Sequence, residues 1–238
     1  MPAANSEDFP VEAPPRAPRW HTAALVTLIV LVAATGTFLS SKGPAPALTT
    51  PPPGERLLAL YAPLLVVEWG LLFYVCRIGR SRSALSAMLG VRWRSVGRAA
   101  GDVFLAVVTG CAIVAVNVAY THLLRMGPIA SVTARLPGTA VERAAWVAVA
   151  VSAGFCEEVV YRGYLQNELA AWTGSMTLGV ILQATAFALA HADRGILATP
   201  PLVIHGILLG VLARFRKSLL PGIICHVGVD LAAGLLHH

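Results

Sequence analysis

Apolar residues along this chain run in blocks too long for a soluble fold, and prolines, glycines and arginines separate the blocks. Thr22–Ser41 is an uncharged run of 20 residues, the length at which a helix crosses the hydrocarbon of a bilayer. Leu57–Cys76 is a second run, interrupted by Glu68, and Val103–Thr121 is a third. A fourth covers Ala144–Cys156. No proline follows before Leu169, so this helix is expected to continue from Trp146 to about Leu169. After a break at Thr173-Gly174 a fifth starts near Ser175 and runs to Ala190. Pro200-Pro201 opens a sixth that ends near Ala213, and Pro221 stands in the first turn of a seventh that reaches Leu236. The pattern predicts an all-α polytopic transmembrane helix bundle of about seven spans.

Composition agrees and narrows the class. Of the 238 residues, 56% are hydrophobic and 13% charged, against roughly 25% charged in an average soluble domain. Disorder is excluded on the same figures, except in residues 1–20, where five prolines and mixed charges predict a disordered tail. The net charge of +6 is spread over the loops. With the N-terminus inside, Arg16, Arg19, the six arginines of 77–98, Arg162, Arg214, Arg216 and Lys217 share one side, 12 in all. The other side holds five (Lys42, Arg56, Arg125, Arg135 and Arg194), with Arg143 at a helix start. The excess of basic residues places the N-terminus in the cytoplasm. Richness in Ala, Arg and Val fits a bacterial chain, and hence an integral protein of the inner (plasma) membrane. No basic stripe interleaves with aromatics, so nucleic acid is not an expected partner. Cys76, Cys111, Cys156 and Cys225 form no C-x-x-C pair and read as buried thiols.

An ionisable residue inside a membrane helix costs about 2.5–3.5 kcal/mol on insertion scales, so each one asks for a reason. Asp102 and His122 lie near helix ends, where solvation suffices. Glu68 is expected to meet a buried arginine or to line a cavity. His205, beside the close-packing pattern Gly206-x-x-x-Gly210, reads as structural or cavity-lining. The others fall into three ordered groups. In Glu157-Glu158-x-x-x-Arg162, Glu158 and Arg162 are four apart and pair on one face. Glu157 points about 100° away and is left for chemistry. Phe187-x-x-x-His191 and His226-x-x-x-Asp230 repeat the same spacing on two later helices, with Phe187 expected to pack beneath His191. At 1.5 Å per residue, Glu157, His191 and His226 come out roughly 18, 23 and 11 Å deep, so tilt or uneven helix starts must close the gap.

One carboxylate and two imidazoles converging out of bulk water suit hydrolysis. The carboxylate can act as general base toward a water, and a histidine can stabilise an oxyanion. The same set, Glu157, His191 and His226, could instead hold zinc, although the linear H-E-x-x-H pattern is absent. A Cys–His protease built on Cys156 or Cys225 is disfavoured, because neighbours on a helix point in different directions. A proton relay through Glu68, Glu157 and His205 would suit a carrier. No inverted repeat or pair of broken helices accompanies it.

The three groups, in this order and on consecutive apolar helices, resemble the motifs of the CPBP family. That family comprises the type II CAAX prenyl endopeptidases and their bacterial relatives, often called Abi proteins. The resemblance covers roughly residues 140–238. It implies a glutamic-type intramembrane endopeptidase with its site between the C-terminal four helices and no cofactor, although some members are described as metalloproteases. It implies that Glu157 activates water, that Glu158 and Arg162 support it, that His191 orients the water, and that His226 and Asp230 form the oxyanion site. The family's last motif commonly ends in asparagine, and an ionised Asp230 cannot donate to an oxyanion. The expected organisation is a tail at 1–20, three transmembrane helices with their loops at 21–138 and a catalytic helix bundle at 139–238. The expected partners are the lipid bilayer and a membrane-associated protein or peptide substrate, with a CAAX-like end or a C-terminal sorting signal. The alternatives are a zinc metalloendopeptidase using the same residues and a non-catalytic membrane partner or immunity protein. Oligomeric state is not legible.

Overall fold

The computed structural model describes residues 17–41, 54–78, 83–90, 93, 95–127, 130–133, 135–195 and 198–236. Most of the expected tail, the proline loop at 42–53 and part of the arginine-rich stretch at 77–98 lie outside the described residues. Helix α1 is Arg19–Ser41. Helix α2, Ala62–Ile78, follows a wide π turn at Leu57–Tyr61. Then come α3 (Ser83–Leu89), α4 (Val96–Leu123), the short α5 (Ala130–Thr133) and α6 (Ala140–Glu157). A second π turn, Glu158–Leu165, runs directly into α7 (Gln166–Thr173). Helices α8 (Met176–Ala190), α9 (Thr199–Arg216) and α10 (Leu220–Leu235) complete the bundle. The described residues contain no strand, only a single bridge pairing Gly90 with Ser218.

Side-chain caps set several boundaries. Ser175 Oγ accepts from Leu178 N and starts α8 where the Thr173-Gly174 break predicted. Thr139 and Glu142 form a reciprocal capping box that starts α6. Ser95 caps α4 earlier than the apolar run suggested, which brings Arg98 into the helix. Helix α3 was not foreseen within the arginine-rich stretch. It docks on the α9–α10 turn, where Leu219 N donates to Leu89 O at 3.0 Å. Residues 140–173 form one continuous helix of 34 residues, as the absence of proline predicts. Its π widening is not marked by any sequence signal.

The molecule exposes large apolar side chains and buries charged ones within an apolar core. Leu31, Val66, Phe73, Phe104 and Val118 are exposed, while Glu68, Glu158, Arg162, Gln183 and His226 are buried. That inversion suits a lipid surround, where the outer face meets hydrocarbon and polar groups must find partners inside. Leu57–Arg77, Val96–Leu123 and Ala140–Thr173 are long and apolar enough to cross a membrane, and Arg19–Thr35, Met176–Ala190 and Leu220–Leu235 are shorter apolar helices. The fold is a helical membrane bundle.

Packing around the central 140–173 helix positions everything that follows. Helix α10 lies on α6 and α4, α2 lies on α6, and α8 is held between α7 and α9. The close α8–α9 approach needs glycine: a Cβ at Gly206 would lie 2.7 Å from Ala184 Cα. Gln183 Nε2 uses that approach to donate to Gly206 O at 2.9 Å.

Trp146 Nε1 donates to Asp230 O at 2.9 Å, joining α6 to α10. Two local expectations are corrected. Asp102 is fully buried rather than solvated, because Arg216 and Trp93 Nε1 both bond its carboxylate. Cys111 is exposed while Cys156 and Cys225 are buried, since Cys111 falls on the outward face of α4.

Candidate active site

The two adjacent glutamates straddle a change of helix type. Glu157 is the last residue of α6 and Glu158 the first of the π turn. Such single wide turns inside α-helices recur at functional sites. Glu158 and Arg162 pair as the spacing predicts, with Nη1 2.9 Å from Oε1 and both side chains fully buried. A carboxylate has about four acceptor sites, and the same Oε1 also accepts from His226 Nδ1 at 3.1 Å. Gly222, on α10, makes room for it: a Cβ there would come 2.8 Å from Glu158 Oε2. Glu158 therefore orients His226 as well as pairing with Arg162, a link between residues far apart in sequence that the motif spacing does not reveal.

His191 is held differently. It is the C-cap of α8, not a residue of the helix body, and a 3₁₀ turn at Ala192–Arg194 follows it. Its Nδ1 lies 2.8 Å from Phe187 O. A carbonyl oxygen only accepts, so Nδ1 carries the hydrogen and a neutral ring presents a lone pair at Nε2. That Nε2 lies 3.8 Å from Glu157 Oε1. On the other side, His226 Nε2 lies 3.6 Å from Glu157 Oε2 and 3.8 Å from Asp230 Oδ2. Both distances to Glu157 are too long for a hydrogen bond and suit a bridging group. The three side chains meet despite the uneven depths expected from the sequence.

Phe187 is the hydrophobic floor of the cluster. Its ring centroid is 4.8 Å from that of His191 and 5.3 Å from that of Tyr161. The Arg162 guanidinium lies over the same ring at 4.5 Å, within cation–π range. The expected packing beneath His191 is thus present, with Arg162 as a further contact. Glu68 meets no arginine among the described residues; its carboxyl faces that of Glu157. The signal in the sequence was a lone acid in the second apolar run. Its partner was not legible, because α2 and α6 are joined by a long connection.

The structure thus brings Glu157, Glu158, Arg162, His191, His226 and Asp230 into one cluster, with Asp230 at its more open edge. A zinc ion would take Glu157, His191 and His226. Among the described residues, no group of three His, Cys, Asp or Glu side chains is arranged to hold a metal ion.

No curated protein and no solved structure matches the chain. A family model does match, over residues 139–232, about two fifths of the chain. The matched segment begins at the Thr139 cap of α6, ends two residues past Asp230, and contains all six residues of the cluster but not Glu68. The model matched by residues 139–232 is that of the type II CAAX prenyl endopeptidase Rce1-like family, and the chain is similar to that family over this segment.

Proposed function

We propose that this protein is a glutamic-type intramembrane endopeptidase that hydrolyses a peptide bond in a membrane-associated protein or peptide. The observation that carries the reading is the pair of acceptors facing each other across 3.8 Å, Glu157 Oε1 and His191 Nε2. The Phe187 carbonyl fixes the histidine so that its lone pair points at the carboxylate. A water about 2.8 Å from both atoms donates one hydrogen to each, which leaves its own lone pairs directed outward. Glu157 takes the proton as that oxygen attacks the scissile carbonyl, and later returns a proton to the leaving amine. His226 is held by Glu158 at Nδ1 and offers Nε2–H to the oxyanion in its imidazolium form. Asp230 steadies that nitrogen from the far side.

The substrate class that follows is a segment at the membrane with a CAAX-like end or a C-terminal sorting signal. The protein is read as a bacterial inner-membrane protein from its richness in Ala, Arg and Val, with its N-terminus in the cytoplasm from the excess of Lys and Arg on that side. The test is cleavage of a farnesylated CAAX peptide and of an unprenylated transmembrane peptide by protein purified in detergent. New termini are read by mass spectrometry, and zinc content is measured on the same sample. Cleavage of either peptide by zinc-free protein is expected. Stoichiometric zinc, lost together with activity on chelation, would replace the glutamic mechanism by a metal one. Failure to cleave either peptide would favour the non-catalytic membrane partner.

A further inference from the structure

His205 is a third histidine at the cluster. It lies on α9 immediately before Gly206, and it is nine-tenths buried. Its ring centroid is 6.4 Å from that of His226, and it meets the Phe187 ring edge-on at 6.4 Å. Neither of its ring nitrogens has a hydrogen-bond partner among the described residues. Buried polar groups in native proteins are overwhelmingly paired, and those that are not call for an explanation. His191 and His226 show the ordinary solution, each giving Nδ1 to an oxygen of the protein. His205 has none, and α9 cannot turn it away, because Gly206 packs against the α8 backbone.

The chemistry of the substrate supplies a partner. A segment cleaved within a membrane must present an extended peptide bond. Unwinding a helix there strips N–H and C=O groups of their partners in a medium without water. A neutral imidazole carries one donor and one acceptor, the complement of a peptide unit with its one C=O and one N–H. We propose that His205 is a substrate-binding residue that hydrogen-bonds a peptide group flanking the scissile bond. This inference rests on the endopeptidase reading and adds a residue that none of the three motifs contains.

The test compares wild type, His205→Phe, His205→Ala and His205→Gln on an internally quenched farnesylated CAAX peptide in detergent micelles, with thermal unfolding measured on the same preparations. Losing a buried hydrogen bond to substrate predicts a KM about tenfold higher for His205→Phe, with kcat within about threefold of wild type. Its unfolding temperature should be unchanged or raised, since no protein partner is lost. His205→Gln keeps a donor and an acceptor and should recover most of the KM. A wild-type KM in His205→Phe, or in His205→Ala should the phenylalanine variant not fold, would overturn the inference. So would a fall in kcat at constant KM, or a loss of stability that accounts for the lost activity. Wild-type protein that cleaves nothing would defeat the endopeptidase reading itself, and this inference with it.

Discussion

At the residue scale, one oxygen joins two of the motifs. Glu158 Oε1 forms the ion pair with Arg162 and accepts a hydrogen bond from His226 Nδ1, so removing that side chain leaves a guanidinium buried without its ion pair. Breaking such a pair from one side costs about 3–5 kcal/mol. Glu158→Ala should therefore melt far below wild type in detergent, while Glu157→Ala, whose nearest imidazoles stand off at 3.6 and 3.8 Å, should melt close to it. Equal melting temperatures would contradict this division of roles. Asp230 invites a second substitution. Its carboxylate faces His226 Nε2 at 3.8 Å and cannot donate to an oxyanion, whereas an amide can. Asp230→Asn should keep or raise kcat, and Asp230→Ala should lower it about tenfold, roughly the value of one hydrogen bond. A loss in Asp230→Asn as deep as in Asp230→Ala would show that the carboxylate itself is required. The local pairs in this set were legible, because residues four apart on a helix share a face. The Glu158–His226 bond spans two helices, and no spacing rule reaches it.

At the scale of elements, the site depends on where helices stop and widen. The boundary at Ser175 and the proline starts of α9 and α10 could be read from the sequence because cap and proline chemistry is local. The π turn at Glu158–Leu165 could not, because it is set by packing: Val159, Val160 and Leu165 are buried against neighbouring helices. The end of α8 at Ala190 was legible too, because the fifth apolar run stops there. Helix α10 must approach the π turn closely, and Gly222 permits it. A Cβ at Gly222 would sit 2.8 Å from Glu158 Oε2, closer than carbon and oxygen pack. Gly222→Ala is expected to displace Glu158, and with it His226, and to cut kcat by about tenfold or more, the range for a misplaced catalytic group. Its helical circular dichroism should stay unchanged. Full activity in that variant would show that α10 can withdraw without cost to the site.

At the scale of the whole molecule, the exposed apolar side chains and the buried charged ones identify a membrane bundle, and the low charge count made the inward-facing residues stand out. What composition could not supply was the contribution of α2. Glu68 lies outside the family-matched segment, yet its carboxyl faces that of Glu157, close enough for the pair to share a proton. A hydrogen bond between two carboxyl groups takes one proton, and a glutamine amide can donate in its place. Glu68→Gln should therefore retain most activity. Glu68→Leu, which leaves Glu157 without that donor, should lose about tenfold in kcat. Equal activity in the two variants would mean that α2 only encloses the site.

The claim on which all of this turns is that the Glu157 carboxylate takes the proton from the attacking water. The measurement that addresses it most directly is single-turnover cleavage of the farnesylated CAAX peptide by Glu157→Gln, set beside wild type at matched folded fraction. Glutamine keeps the shape but not the basicity, so the rate is expected to fall by about 10²–10⁴, with peptide binding retained. Cleavage by Glu157→Gln at the wild-type rate would contradict the account.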